Sequence, residues 1–535
     1  MRRALVLIVT VLVSLLFSSC SSAKHVSSKT ADISPYSYGL ATAKSDVERY
    51  QVLLETHRAA IKAGVNVDYT GIDTIRLEIP ENPKHIPLTQ YNDFKGCVFF
   101  VNNTIKNVYL FDKRIDGAPI TVEKRLIDSG DFRSVEALNK GRCLLLIEDE
   151  IPWVINRKGY SNGHNRKDIL LLEGGKAQNT VIRNYNNSHS TPKCSYIKLN
   201  NDGLTIKNLT FERNKNSSFI TNLIFVSGFD NVSISNIIVR TPENSLSGDH
   251  AIGIYNCTNV SLDDVCIEGT YSQKDHYGYG IILGNIWNFK ATKLYGKANW
   301  GIFGSNDVNT VFITDSKINR FDIHSYGKDV SFGNVDFFDL YNQYSSVYGT
   351  IVHDSCTFTD FVPVRNGGSY NSYVAHDIVF NNCVFNVSPD KNCVFKLSLL
   401  NELPNARYEL SEKCLPNVKI NNMVVNLKNG AKDFVFFNCT SSGKKVSDIG
   451  YLSNIEIDGL TINSDGETPV NGMTLSNINI QTKNPVDCQM KNVMVNQPRK
   501  DVLTKAASNE AVLKTNMSIK GGKVTLKNVK NLKQE

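Results

Sequence analysis

The chain has 535 residues and a net charge of +7 at pH 7; 41% of its residues are hydrophobic and 21% are charged. This length is well above the roughly 100–200 residues of one compact domain, so the chain contains either several domains or one repetitive domain. The composition excludes a disordered chain, and the mildly positive charge without a dense Lys/Arg patch makes nucleic acid a poor partner.

The first 19 residues predict a lipoprotein signal peptide. They start with a basic segment, continue with an apolar run over residues 4–17 and end on small residues before Cys20. This arrangement resembles the lipobox of bacterial lipoproteins, which implies cleavage before Cys20, lipidation of its thiol and a flexible tether over residues 20–44. An uncleaved helical anchor is the alternative, although the apolar run is shorter than the ~20 residues that span a bilayer. We therefore expect a cell-envelope protein, lipid-anchored to a bacterial membrane on its periplasmic or cell-surface side.

The remaining cysteines argue against a zinc or redox site. The chain has 12 cysteines, and none of them is part of a CxxC pair. Most of those after Cys20 lie where neighbouring repeats have Val or Ile, so we interpret them as small core residues.

A helical cap is predicted over residues 45–65. Ser45 and Glu48 fit a capping box, and Gly64 is a helix stop signal. The apolar residues near one face of this helix are Val47, Tyr50, Leu54 and Ile61.

From residue 66 onward helical periodicity disappears, and from residue 204 a repeat begins. Its unit has two short strands of period two with Asn or Asp between them, as in Leu204-Thr-Ile-Lys-Asn208-Leu-Thr-Phe. Because Asn tolerates the left-handed backbone and no helical stretch accompanies the strands, the repeat predicts a solenoid of stacked parallel strands. In successive copies of the repeat, the residues at this position are Asn208, Asn236, Asp264, Asp315, Asn334, Asn382, Asn422, Asn477, Asn492 and Asn528.

This repeat resembles the right-handed parallel β-helix of the pectate lyase-like superfamily. The resemblance places six of these residues in the asparagine ladder of that family, namely Asn208, Asn236, Asp264, Asp315, Asn334 and Asn382. It places the predicted helix in the position of the N-terminal cap. It implies an all-β fold, a single-stranded right-handed parallel β-helix over residues 66–535 with loop insertions. A cap is needed because an open coil end would expose core and unpaired strand edges.

One stretch, Arg320-Phe321-Asp322-Ile323-His324, is the candidate reaction centre. As a strand it has Arg320, Asp322 and His324 on one face and the two apolar residues on the other. A cation, an acid and an imidazole on one outer face are suited to proton transfer. The alternative is a purely structural surface ion pair.

Glycines precede this row on neighbouring coils. Alignment of the coils on the repeat predicts that Gly253, Gly280 and Gly301 lie in the column of Asp322. Glycine weakens a strand, so we interpret these residues as a low floor for a ligand; the alternative is that they only relieve backbone crowding. The candidate substrate-binding residues are Gly280, Gly301, Asp249, His250, His276, Tyr277, Tyr348 and Arg365.

Two mechanisms fit the candidate row. In a lyase, Arg320 would neutralise the carboxylate of a uronic acid, with Asp322 orienting the histidine and His324 or Tyr348 acting as base. In a hydrolase, Asp322 would be the acid, and a carboxylate from another coil would be the base or nucleophile. The candidates for that carboxylate are Asp249, Asp275 and Asp339.

The chain lacks the catalytic motifs of polygalacturonase-like hydrolases and of pectate lyases, so no catalytic residue is assigned by motif. The sequence therefore predicts an exported β-helix enzyme that cleaves a polysaccharide, acidic ones included, as a polysaccharide lyase or a glycoside hydrolase. The alternative is a non-catalytic glycan-binding or surface structural β-helix lipoprotein. The expected partner is a polysaccharide or oligosaccharide, and the expected state is a monomer or a trimer.

No cofactor and no metal site are predicted. The Asp-His pairs at 249–250 and 275–276 are candidate calcium ligands, although such dipeptides in loops are more often solvated. His353 aligns with Phe332 and Phe380 in an inward column, so we predict a core rather than a catalytic histidine.

Overall fold

In a computed structural model of the protein, the apolar repeat forms parallel β-strands that stack in register. Leu204–Arg213 pairs in parallel with Asp230–Arg240, which in turn pairs in parallel with Thr258–Glu268. Each coil is hydrogen-bonded to the coils above and below it, and the apolar side chains stack inside. The predicted fold class, an all-β single-stranded right-handed parallel β-helix with an N-terminal helix, is confirmed.

The β-helix and its cap belong to one unit, Ile33–Glu535. Within the described part of the chain, no helix is both long enough and apolar enough to cross a membrane. The predicted signal peptide and Cys20 lie outside the described residues. The structure describes residues 31–102, 109–154, 164–181, 185, 190–214, 222–240, 250–268, 278–297, 301–323, 327–344, 347–366, 377–399, 413–414, 416–441, 446–450, 454–465, 470–477, 480–482, 487–496, 511–514, 517–518 and 524–534.

Each coil has three faces, which we call first, second and third in chain order. Strands of the first face are Ile86–Pro87, Tyr109–Arg114, Asn222–Ser227, Ile252–Tyr255, Phe321–Ile323, Tyr341–Tyr344, Val362–Asn366, Cys393–Leu399, Asp433–Ser441, Gly472–Ser476, Ala511–Lys514 and Leu532–Gln534. Strands of the second face alone are Tyr91–Asp93, Val347–Asp354 and Asp377–Asn381, and strands of the third face alone are Thr74–Leu77, Val98–Val101, Thr357–Thr359 and Val384–Val387.

Longer strands run through a bend from one face to the next. Those covering the second and third faces are Leu204–Arg213, Asp230–Arg240, Thr258–Glu268, Gly327–Phe338, Asn417–Leu427, Asn454–Asn463, Asp487–Asn496 and Val524–Lys530. Those covering all three faces are Ile281–Gly296 and Phe303–Ile318. A separate short parallel sheet in the C-terminal coils consists of Lys413–Cys414, Val446–Gly450, Ile480–Thr482 and Met517–Ser518.

The bend between the second and third faces is the predicted asparagine ladder. Asn208 and Asn236 both have a left-handed backbone, with φ of 59° and 50°, and Asn236 Nδ2 donates to Asn208 Oδ1 at 2.8 Å. The same ladder continues with Asn334 Nδ2 donating to Asp315 Oδ1 at 2.7 Å. Asn477 is not part of it: this residue follows a first-face strand and donates to Asn438 Oδ1 at 3.0 Å.

The N-terminal helix is Asp46–Ala63, with Ser45 Oγ accepting from Glu48 N at 3.1 Å and Gly64 in the left-handed region at its end. Tyr50 and Leu54 are buried as predicted. Val47 and Ile61 are exposed, because the buried stripe continues at i+3 and i+4 from Tyr50. The remaining buried residues of the helix are Leu53, Thr56, His57 and Ala60. Upstream, Ile33 is bridged to Val67, so ordered structure begins inside the predicted tether.

Between two coils the chain forms an antiparallel sheet with a core of its own, which the sequence did not predict. It carries a short helix, Lys124–Ser129, and packs on the β-helix through Leu144, Ile169 and Trp287. An ion pair between Arg142 Nη1 and Asp230 Oδ2 joins the two parts. The strands of the sheet are Ala118–Ile120, Arg142–Val154, His164–Glu173, Lys176–Ala177 and Lys193–Lys198.

The core of the β-helix contains columns of stacked aromatic rings. His353 lies in one of them, 5.1 Å from the ring of Phe332 and 4.8 Å from that of Phe380, and is fully buried. The prediction of a core histidine is confirmed. The predicted core role of the cysteines is also confirmed for the described thiols, nearly all of which are buried.

Candidate functional site

The candidate row forms a strand of the first face. Phe321 and Ile323 point into the core as predicted, and both are fully buried. Asp322 points away from the core but is fully buried as well. Its neighbours in the same column are Gly304 on the preceding coil and Gln343 on the following coil.

The predicted glycine column is right at Gly253, which lies in the column of Asp322, and wrong in register at Gly280 and Gly301. Gly304 and not Gly301 lies beside Asp322, and Ile282 and not Gly280 lies beside Gly304. The residues of this column stand 11 positions before the ladder residue of their own coil, as Gly304 does before Asp315, and Asp322 stands 12 before Asn334. Gly280 and Gly301 stand 13 and 14 positions before theirs. The repeat is not recognisable in the coil of Gly280, because Lys293 occupies the ladder position there in place of Asn or Asp.

Gly280 and Gly301 do not form a floor for a ligand. A Cβ at Gly280 would lie 2.7 Å from Ile302 Cδ1, so this glycine allows close packing in the core. Gly301 has φ of +127°, and a Cβ there would overlap the side chain of Arg320. Both positions require glycine because other atoms occupy the space, which is the crowding alternative.

Aromatic side chains cover the true glycine column. A Cβ at Gly304 would lie 2.6 Å from the ring of Tyr279. At Gly253 it would lie 3.0 Å from His250 Nε2 and 3.1 Å from Tyr109 Oη. The glycines therefore make room for these rings against the first face, where Tyr279 is itself buried and Tyr109 and His250 are partly exposed.

Arg320 and Asp322 form an ion pair that is buried rather than exposed. Their side chains are 7% and 0% exposed, and Arg320 Nη2 donates to Asp322 Oδ2. Tyr279 Oη donates to the same carboxylate oxygen at 2.5 Å. Burial raises the pKa of Tyr279 well above its usual value, and the adjacent carboxylate adds to the effect. Burial alone would lower the pKa of Arg320, but the Asp322 carboxylate raises it overall.

Tyr341 links this ion pair to the surface. Its ring lies between two guanidinium groups, with Arg320 Cζ 4.6 Å and Arg365 Cζ 4.1 Å from the ring centroid. Tyr341 and Arg365 are partly exposed. No carboxylate of a described residue lies within ion-pairing distance of Arg365. We call Tyr279, Arg320, Asp322, Tyr341 and Arg365 the Arg320 cluster.

A second group of aromatic residues lies on the same face. Tyr109 Oη and His250 Nε2 are 2.5 Å apart, and the ring of Tyr109 is 4.8 Å from that of Phe225. Phe225 also stacks with Tyr255 at 5.3 Å and carries the guanidinium of Arg114 at 4.5 Å. We call these five residues the Tyr109 cluster.

The two clusters face the same side of the β-helix. Phe225 and Asp322 lie in one column, with Gly253, Ile282 and Gly304 on the coils between them. Since neighbouring strands are about 4.8 Å apart, the two residues are separated by roughly 19 Å along the first face. A chain-like ligand that lies along this face can contact both clusters.

Two predicted partners of Asp322 lie on other faces. Tyr348 pairs with Lys328 on the second face and is 9% exposed, so it does not converge with Asp322. Asp339 follows the third face and forms an ion pair with Lys297 at 3.0 Å.

Several predicted site residues lie outside the described residues, namely Asp249, Asp275, His276, Tyr277 and His324. Among the residues that the structure describes, no group of three or more His, Cys, Asp or Glu side chains could hold a metal ion.

The sequence did not single out Tyr109, Phe225, Tyr279 or Tyr341. Each of these aromatic residues is explained by the glycine or arginine that it contacts on a neighbouring coil. The glycines in the first-face strands indicated that large side chains pack against them. Which side chains these are depends on the register between neighbouring coils.

Comparison with known proteins finds similarity in solved structures only. No protein family matches the sequence, and no curated protein matches it. The tailspike gp61 of Pseudomonas phage phi297 is similar with a TM-score of 0.51 at 11% identity, covering 87% of this chain and 81% of that chain. The tailspike gp49 of Pseudomonas phage LKA1 has a TM-score of 0.46 at 11% identity, with coverage of 87% and 83%. Gp54 tailspike of Acinetobacter baumannii bacteriophage AP22, in complex with A. baumannii capsular saccharide, has a TM-score of 0.47 at 11% identity, covering 90% of this chain and 79% of that chain.

The fold and the similarity to the phi297 tailspike define the class of protein. The chain is a parallel β-helix protein, and the phi297 tailspike shares its fold over most of both chains. At this level of identity the likeness extends to the fold alone. What the chain binds or does must therefore be argued from its own side chains.

Proposed function

We propose that the chain binds an acidic polysaccharide along its first face, with Tyr341 and Arg365 as the point of recognition. The observation that carries this proposal is the Tyr341 ring held between two guanidinium groups, only one of which is committed to a buried carboxylate. An aromatic ring beside a cation is suited to a sugar that carries a carboxylate or sulfate.

Charge along the column supports an anionic ligand. Arg365 is directly paired with Lys396 on the next coil, and Lys396 is exposed. Neighbouring strands are about 4.8 Å apart, so the two cations form a short positive row at the surface. Guanidinium binds carboxylate in a bidentate geometry that ammonium cannot reproduce, so Arg365 is the main anchor.

In this proposal the Arg320–Asp322 pair positions Tyr341 and does not touch the sugar. Asp322 is fully buried, and its carboxylate accepts from both Arg320 and Tyr279. A group that transfers a proton to substrate has to reach it within hydrogen-bond distance. The role of Asp322 is therefore to hold Arg320 beneath the ring.

Cleavage of the same polysaccharide is a second candidate function, favoured by the Tyr109–His250 pair. The phenol and imidazole are 2.5 Å apart above Gly253, and both residues are partly exposed. A hydrogen-bonded Tyr–His pair can remove and return a proton. Arg114, in the same cluster, forms an ion pair with Asp112 through Nε and Nη2, so in this proposal its Nη1 would bind the uronate carboxylate and acidify the α-proton, which corresponds to a lyase.

Binding is tested by native gel electrophoresis of the purified chain through alginate, polygalacturonate or hyaluronan. The expected result is retardation by at least one acidic polysaccharide that weakens with added salt. Arg365→Gln should reduce the affinity at least tenfold, whereas Lys419→Gln, which removes an exposed lysine from the second face, should not. Equal retardation of both variants would exclude Arg365 as the anchor.

Cleavage is tested on the same polysaccharides. A lyase produces an unsaturated uronate that absorbs in the near ultraviolet, and a hydrolase produces reducing ends without this absorbance. His250→Gln and Tyr109→Phe should each abolish the product while leaving retardation intact. Binding without any product in the wild type would leave recognition as the whole function.

The membrane location is also part of the proposal. Lipid on Cys20 would hold the β-helix at the cell envelope, where polysaccharide is accessible. Mass spectrometry of the mature N-terminus in a bacterial host should find a diacylated Cys20, and Cys20→Ala should release the protein from the membrane fraction.

A further inference from the structure

Away from the first face, three successive coils carry a small grid of polar side chains around one exposed tyrosine. The grid has two columns, the ladder bend and the first outward position of the third face, which are in register across the three coils. It lines a groove of about 370 Å³, within the size range of small-ligand sites. We call this the Tyr295 groove, and its grid residues are Lys293, Tyr295, Asp315, Lys317, Asn334 and Asp336.

Tyr295 provides an aromatic surface at one end of the groove. It is 42% exposed, and it pairs directly with Lys317, which pairs with Asp336 on the next coil. On the preceding coil the same column has Cys266. The polar grid therefore begins at Tyr295 and does not continue along the whole β-helix.

Lys293 interrupts the asparagine ladder at this groove. It lies between Asp264 and Asp315 in the ladder column and has φ of 52°. A lysine in the left-handed region costs roughly 1–2 kcal/mol and cannot make the amide-to-amide ladder bond. Strained residues of this kind are concentrated at functional positions, and here the strain brings an ammonium to the groove.

The charges of the groove are balanced. Lys293 and Lys317 oppose Asp315 and Asp336, and Asn334 Nδ2 donates to Asp315 Oδ1 at 2.7 Å. A charged ligand would gain at one pair and lose at the other. Hydroxyl groups, which both donate and accept, match a mixture of ammonium, carboxylate and amide.

We propose that the Tyr295 groove is a second saccharide site, which takes an uncharged sugar with one ring face on Tyr295. This site shares no residue with the Arg320 cluster or the Tyr109 cluster and lies on another face of the β-helix. It differs from the first-face site in ligand charge. The two proposals can therefore fail independently.

The experiment uses the full chain in native gels that contain dextran, galactomannan or xyloglucan as neutral probes. The expected result is retardation by at least one of them, with an affinity at least tenfold lower in Tyr295→Ala. Tyr295→Phe, which keeps the ring, should bind within about twofold of the wild type. Phe312→Ala is the matched control, because Phe312 is 40% exposed on a neighbouring strand segment and does not line the groove.

Any one of three results would overturn the proposal. They are no retardation by any of the neutral probes, equal retardation of Tyr295→Ala and the wild type, or a loss of retardation in Phe312→Ala as large as that in Tyr295→Ala. Thermal unfolding followed by circular dichroism checks that each variant is folded. Retardation by acidic polysaccharides should be unchanged in Tyr295→Ala, and a loss there would show that the variant affects the first face.

Discussion

Arg320 and Asp322, two positions apart on one strand, neutralise each other beneath the outer surface of the first face. Their side chains are 7% and 0% exposed, and Tyr279 Oη completes the carboxylate's environment at 2.5 Å. Removing two charges from water is costly, so the attraction within such a pair adds little net stability. Here it fixes the Arg320 guanidinium against the ring of Tyr341.

Asp322→Asn should destabilise the protein strongly. The substitution leaves Arg320 buried without its counter-ion, which typically costs about 3–5 kcal/mol. We expect a lower urea midpoint and a weaker affinity for acidic polysaccharide, because Tyr341 loses its support. Asp336→Asn, an exposed third-face carboxylate, is the control and should shift the midpoint very little. An Asp322→Asn variant as stable as the wild type would show that the pair is not energetically important.

Gly301→Ala should destabilise the chain much more than Gly333→Ala. At Gly301 the backbone has φ of +127° and a Cβ would overlap the side chain of Arg320, whereas at Gly333 the nearest atom to a Cβ is Thr314 Cγ2 at 3.5 Å. We expect the free energy of unfolding to fall by several kcal/mol in Gly301→Ala and by at most about 1 kcal/mol in Gly333→Ala. Urea unfolding of both variants measures the difference, and equal midpoints would contradict the crowding explanation of Gly301.

The coil repeat could be predicted from the sequence because it is local. Asn208, Asn236 and Asp264 each have a left-handed backbone between two apolar strands, and period and residue type specify this bend together. The inward orientation of Phe321 also followed from alternation within one strand, which depends on neighbours close in sequence. The core position of His353 followed from alignment with Phe332 and Phe380, on coils where the repeat is unbroken.

The site could not be predicted in the same way because it depends on register across coils. Lys293 occupies the ladder position of one coil in place of Asn or Asp, which hides that coil's repeat, so the column of Asp322 contains Gly304 where the alignment predicts Gly301. For the same reason Tyr341 was not recognised as the partner of Arg320. The antiparallel sheet was missed because its strands have the same composition as coil strands, and pairing direction is not encoded in period two.

The asparagine ladder should respond differently to glycine and to valine. Asn236→Gly keeps the left-handed backbone and loses only the bond to Asn208, at a cost of about 0.5–1.5 kcal/mol. Asn236→Val loses the same bond and also places a β-branched residue in the left-handed backbone conformation, which costs roughly a further 1–2 kcal/mol. Urea midpoints should therefore decrease in the order wild type, glycine, valine. Identical midpoints for the two variants would mean that φ at position 236 is not under strain.

His353→Phe should stabilise the protein and weaken its sensitivity to acid. Phenylalanine preserves the stacking on Phe332 and Phe380 and removes two buried ring nitrogens that have no hydrogen-bond partner among the described residues. An unsatisfied buried polar group costs about 1–3 kcal/mol, so we expect the free energy of unfolding to increase by that order in His353→Phe. Phe358→Leu, in the same aromatic core, is a control for general repacking and should destabilise.

The pH dependence follows from the same residue. Burial lowers the pKa of His353 from 6.5 to about 3, so between these values the unfolded chain takes up a proton that the folded chain does not. The free energy of unfolding is therefore unaffected above pH 6.5 and falls as pH decreases from 6.5 toward 3. At pH 5 the loss from this one group is about 2 kcal/mol. Burial lowers the pKa of His57 to about 4, which acts in the same direction in both proteins. Urea midpoints of wild type and His353→Phe should therefore diverge as pH falls from 7 to 5, and parallel curves would show that His353 is protonated in the folded state.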